Sequence, residues 1–94
     1  MNRDNIIMIL CSQDYPDYLI EQTADKIERM DIHIKNAFEN WIDSNVTPDI
    51  EIEGWNYEKL IQKFKMRPIA AFLALDWLKR DPEKAIKALK RGIR

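Results

Sequence analysis

The chain is short of the residues from which reactive sites are made. Its 94 residues include one cysteine, one histidine and two glycines. Cys11 cannot form an internal disulfide, which fits a reducing compartment. No cationic neighbour in sequence marks it as a reactive thiol, and its place at the end of the apolar run 6–11 predicts a small buried side chain. A structural zinc site wants about four Cys or His ligands, and the chain has two such residues. Gly54 and Gly92 stand too far apart for a glycine-rich phosphate cradle. Nucleophilic hydrolysis needs a nucleophile, a base and an orienting group. Here the base would have to be His33 and the hydroxyls Ser12 or Ser44, and His33 beside Asp31 on a helix reads as a surface residue. No catalytic residue, cofactor or metal ligand is therefore assigned, no small-molecule substrate is evident, and an enzyme is not expected. No apolar run approaches the ~18–20 residues that span a bilayer. The apolar patch 6–11 is too short, and too acidic in its flanks, for a signal peptide. The expectation is a cytoplasmic protein with no membrane contact.

Length and composition suit one domain over residues 1–94. Hydrophobic residues are 46% and charged residues 33%, as in ordinary water-soluble proteins. The net charge of −1 hides a segregation. Residues 1–58 hold thirteen acidic and four basic residues, a net of −9; residues 59–94 hold eleven basic and three acidic, a net of +8. The two parts can attract each other within the chain or between copies, or the basic end can meet a polyanion. Complementarity inside a helical fold is the plainer expectation.

Scarce glycine and few β-branched clusters predict an all-α protein, a compact bundle of four or five helices. The most informative stretch is residues 66–82, MRPIAAFLALDWLKRDP, in which every residue from 69 to 78 is apolar except Asp76. A surface helix would show a polar face every 3.6 residues. This one predicts a buried central helix from Pro68 to about Lys79. Asp76 inside it needs a partner, and Arg80 at i+4 is placed to be one. Asn56 caps a helix over 57–64, with Tyr57, Leu60, Ile61 and Phe64 on one face. Asp81, Pro82 and Glu83 start the last helix, and Gly92 marks its stop.

The first half is less clear. A short helix fits residues 4–12. From Pro16 to Ser44 a near-heptad stripe of Ile20, Ala24, Ile27, Ile34, Phe38 and Trp41 predicts one long N-terminal helix. Its ~28 residues would extend ~42 Å, far beyond the ~12 Å radius of gyration of such a domain. It must bend, break, or project to meet a partner, and the last case would make the protein a homo-oligomer. Asn45 and Pro48 end it. Residues 49–53, DIEIE, alternate as a half-buried strand does, with no second strand in view. They read as an extended connector, or as an edge that pairs with its own copy. Asp49, Glu51 and Glu53 would share one face there, without the glycine turn of a calcium loop.

Residues 60–72 resemble a helix-turn-helix motif. Leu60, Phe64, Met66 and Ala71 stand where that motif keeps its internal apolar residues, and Lys65 stands where it usually has glycine. The resemblance implies a small nucleic-acid-binding protein. The second helix, however, offers Pro68, Ile69, Ala70, Phe72 and Leu73, which cannot read base edges. A core hairpin is the preferred reading of the pair. The last helix offers another route to a polyanion. Lys84, Lys87, Arg91 and Arg94 form one basic stripe, extended by Lys79, Arg80 and Lys90, above a core-facing side of Ala85, Ile86 and Leu89. Such a stripe suits phosphates without sequence preference, and equally an acidic protein surface. The expected core is Ile27, Phe38, Trp41, Phe64, Phe72, Leu75, Trp77 and Leu78. The expected function is a non-catalytic interaction or regulatory protein that self-associates or binds another protein, with nucleic-acid binding as the alternative.

Overall fold

The computed structural model describes residues 2–92. With 71% of the described residues helical and only a two-stranded sheet besides among them, the protein is all-α. The described residues form six helices: α1 (Arg3–Ser12), α2 (Asp17–Glu28), α3 (Ile32–Ser44), α4 (Tyr57–Gln62), α5 (Pro68–Arg80) and α6 (Pro82–Gly92). Strands β1 (Glu51–Ile52) and β2 (Trp55–Asn56) lie between α3 and α4. By internal contacts the chain divides into two units, residues 1–30 and 31–94.

The first unit is the helical pair α1 and α2. The Asn2 side chain caps α1 by accepting the Asn5 N–H at 2.9 Å. Asp14, at φ 60°, reverses the chain after α1. There the Tyr15 N–H donates to the Leu10 carbonyl and the Asp14 N–H to the Cys11 carbonyl, each at 3.2 Å, which is the double bond of a Schellman cap. Ile6, Leu10, Ala24 and Ile27 are buried. Arg3 reaches three carboxylates of α2, those of Glu21, Asp25 and Glu28. These bonds hold its guanidinium pKa above its ordinary value, that to Glu21 most strongly. Cys11 is exposed, not buried as expected. One helical step of about 100° separates it from the buried Leu10 and turns it to solvent.

The long N-terminal helix does not form. It breaks after Glu28, and α3 starts afresh at Ile32 with Asp31 as its N-cap, whose carboxylate accepts the His33 N–H at 3.0 Å. Ile27 and Ile34 are seven residues apart, so the apolar stripe runs across the break and conceals it. Two helices of 12 and 13 residues replace the single rod, and the length argument for self-association goes with it.

The second unit is built around α5, which packs against α3, α4, α6 and β1. Ile69, Ala71, Phe72, Leu75 and Leu78 are buried along it. Phe72 collects the aromatic residues: Phe38 meets it edge-on at 5.2 Å, Tyr57 lies at 5.2 Å and Trp41 at 5.6 Å. Burial raises the pKa of the Tyr57 hydroxyl. Trp77, expected in the core, is 42% exposed. It shares the one narrow outward line of α5 with Ala70, Leu73 and Arg80, spaced by three and four. That line carries Ala, Leu and Trp where most helices carry charge, which is why the sequence reads as buried all round. Phe64 and Trp41 are half-buried, Phe64 against Trp55 at 5.0 Å.

The connector after α3 also differs from expectation. Asn45 takes the left-handed cap at φ 54°, but residues 49–53 find a partner within the chain. Glu51 pairs with Asn56 and Ile52 with Trp55, antiparallel. Glu53 (φ 53°) and Gly54 (φ 81°) make the two-residue turn, the positive-φ pair of a type I′ hairpin. Glu53 thus leaves the face that Asp49 and Glu51 were expected to share with it.

Candidate interaction site

Helix α6 has two clear sides. Ala85 and Leu89 are buried, Ile86 and Ala88 half-buried, and Lys84, Lys87, Lys90 and Arg91 exposed. The four cations occupy about a third of the helix circumference and, from Lys84 to Arg91, about 10 Å of its length. Glu83 is the acid among them, in the first turn. Arg94, expected in the stripe, lies outside the described residues.

The structure divides the wider set of cations. Lys79 is engaged by Asp31 at 3.1 Å and Arg80 by Asp76 at 3.1 Å, so neither extends the stripe as a spare charge. Lys84 stands 3.9 Å from Asp81 with its side chain 79% exposed, which screens little of its charge. Among the described residues no carboxylate makes an ion pair with Lys87, Lys90 or Arg91. Three of the four residues are lysines, which act as point charges without the fixed fork of arginine. The face attracts anions in general and aligns none bidentately except at Arg91.

The helix-turn-helix geometry is present in outline. Between α4 and α5, Lys65 takes φ 57°, the left-handed conformation that a turn glycine would supply. Yet the exposed or half-exposed start of α5 is Arg67, Pro68, Ala70 and Leu73, and only Arg67 has a donor to offer a base.

The other candidates do not assemble. His33 and Ser44 lie at opposite ends of α3, about 16–18 Å apart along the axis, and the Ser12 hydroxyl donates to the Ile9 carbonyl at 2.7 Å. Among the described residues no three His, Cys, Asp or Glu side chains are placed to hold a metal ion, and no helix is long and apolar enough to cross a membrane.

An open groove of about 450 Å³ lies elsewhere on the second unit, lined by His33, Ile34, residues 49–52 and Lys79. Sequence reasoning read this stretch as an extended connector or a self-pairing edge and did not foresee the groove, because the hairpin that shapes it was not foreseen.

Comparison with protein-family models, characterised proteins and solved structures gave no match.

Proposed function

We propose that the protein is a non-catalytic, cytoplasmic interaction protein that holds an acidic surface of another protein against the basic face of α6. The observation that carries this reading is the exposure of Lys84, Lys87, Lys90 and Arg91 above the buried Ala85 and Leu89. The cations sit on a helix already anchored to α5, so binding costs little backbone ordering.

A second copy is a poorer partner than another protein. The acidic face of α2 would be its natural contribution, and Arg3 already binds Glu21, Asp25 and Glu28 there. Nucleic acid is the weaker polyanion. The net −9 of residues 1–58 opposes a phosphate backbone, and the start of α5 has almost nothing to read bases with.

Fluorescence anisotropy at ~150 mM salt tests the choice. The probes are a labelled Glu-rich helical peptide and a labelled random-sequence duplex DNA. The peptide is expected to bind the wild type and to be lost in the K84E/K87E/R91E variant, whose helical circular dichroism should persist. Duplex DNA bound more tightly than the peptide, with a salt slope near the value of about −2.7 for three phosphate contacts, would transfer the function to nucleic acid. Binding of neither probe rejects the face as an interaction site.

A further inference from the structure

The hairpin leaves one strand edge unused, and that edge borders the groove. Among the described residues β1 has β2 as its only strand neighbour. In a two-residue hairpin the pair beside the turn, here Ile52 and Trp55, exchanges the ladder bonds, and the next pair turns its amides outward. By that alternation Glu51 directs its N–H and C=O away from β2. Asp49 and Ile50 make no backbone hydrogen bond to any described residue.

Side chains on this edge sort by chemistry. Ile50 and Ile52 are half-buried, while Asp49 and Glu51 are exposed. The isoleucines share the groove with Ile34. Lys79, which also lines the groove, is paired with Asp31, so among the described residues the uncompensated charges of the groove are the carboxylates of Asp49 and Glu51. The surface therefore combines unpaired strand amides, an apolar floor of Ile50 and Ile52 above the buried Ile34, and a negative rim.

We propose that this groove takes an extended segment of another protein, with apolar and basic residues in alternation, which adds to β1 as a third strand. Strand addition lets backbone bonds supply affinity and alternate side chains supply specificity. The apolar residues would meet Ile50 and Ile52, and the basic ones Asp49 and Glu51. Another copy of the same edge would set carboxylate against carboxylate, which is unfavourable for cross-strand pairs. This surface is separate from the basic face of α6 and needs a partner of opposite charge.

Isothermal titration with three synthetic peptides tests the proposal. The first alternates Val and Lys, the second alternates Val and Glu, and the third is the Val/Lys peptide N-methylated at every second amide. The first is expected to bind, the second not to bind, and the third to lose binding because its edge cannot donate. D49K/E51K should weaken the Val/Lys peptide by about tenfold through loss of two exposed ion pairs. K84E/K87E/R91E should leave it no weaker, which separates this groove from the α6 reading. Equal binding of the N-methylated peptide would overturn strand addition, and it does so even if the charge variant fails to fold. Failure of the Val/Lys peptide to bind, or equal binding of the Val/Glu peptide, would overturn the groove's proposed specificity.

Discussion

One carboxylate oxygen of Asp76 accepts the backbone N–H of Asp31 at 2.7 Å. The other meets Arg80 Nε at 3.1 Å. Asp76 is only 7% exposed, so the central helix carries its one acid inward to hold the residue where α3 begins. The expected partner, Arg80, is there, but the contact to the Asp31 amide links residues 45 apart. Asp76→Ala should cost about 1–3 kcal/mol, the usual range when a buried hydrogen-bonding group loses its partner. Asp76→Asn keeps an acceptor and should cost about half as much, while Arg80→Ala removes a half-exposed partner, leaves the buried carboxylate its bond from the Asp31 N–H, and should cost less than Asp76→Ala, about 1 kcal/mol. Urea denaturation ranks the three, and Arg80→Ala as the most damaging would contradict the geometry.

Acid should act on the next link of the same chain of contacts. Asp31 is held below its ordinary pKa of 3.8, chiefly by its bond to Lys79 and further by the His33 N–H. A carboxyl depressed by folding contributes stability that is present above its unfolded pKa and is lost as pH falls through the folded value. The contribution should thus be whole above about pH 5 and fade below about pH 4. In Lys79→Ala the Asp31 carboxyl should titrate closer to its ordinary value. Carboxyl chemical shifts read this directly, and identical midpoints in the two proteins would exclude the Lys79 contact in solution.

The two large aromatics of α5 should respond differently to truncation. Phe72 has no exposed surface and touches Phe38, Trp41 and Tyr57. Phe72→Ala should cost about 3–5 kcal/mol. Trp77, at 42% exposure, should lose less on the same change, about 2–3 kcal/mol, in proportion to the area it buries. Thermal melts of the pair decide, and equal losses would place Trp77 back in the core.

Two corners carry removable strain. Glu53 and Lys65 hold φ 53° and 57°, where an ordinary side chain costs about 1–2 kcal/mol. Glu53→Asn gives the hairpin the Asn-Gly pair that type I′ turns favour, and should stabilise by about 0.5–1 kcal/mol. Lys65→Gly should gain less, about 0.5 kcal/mol, because glycine also loosens the unfolded chain. A lower urea midpoint for Glu53→Asn would show that the turn is of another type.

The second half of the fold was the more legible in sequence because its helices announce their ends. Asn56, Pro68 and Pro82 each begin a helix where the residue type favours one, and the apolar periods between them are short and unbroken. In the first half, period and boundary conflict. The seven-residue step from Ile27 to Ile34 continues a stripe that the backbone interrupts, and the sign of the break was the short acceptor Asp31 rather than any change in pattern. The hairpin stayed hidden because Glu53 occupies a position where asparagine or glycine would have signalled a turn. Of the α6 face, Lys84, Lys87 and Arg91 were read correctly as exposed, since amphipathicity fixes them. The pairing of Arg80 with Asp76 was legible from its i+4 spacing, but that Lys79 is spoken for could not be read, because Asp31 lies far off in sequence.

The segregation of charge has a practical consequence at the bench. With a sequence pI near 5.8, a purification scheme would assign this protein to an anion-exchange column at neutral pH. An ion-exchange resin, however, binds the patch turned toward it and not the molecule's average. The lysines and arginine of α6 present a cationic surface that the arithmetic of the whole chain conceals, so the protein should also be retained on a sulfonate resin at low salt. A K84E/K87E/R91E variant would elute from that resin in the void.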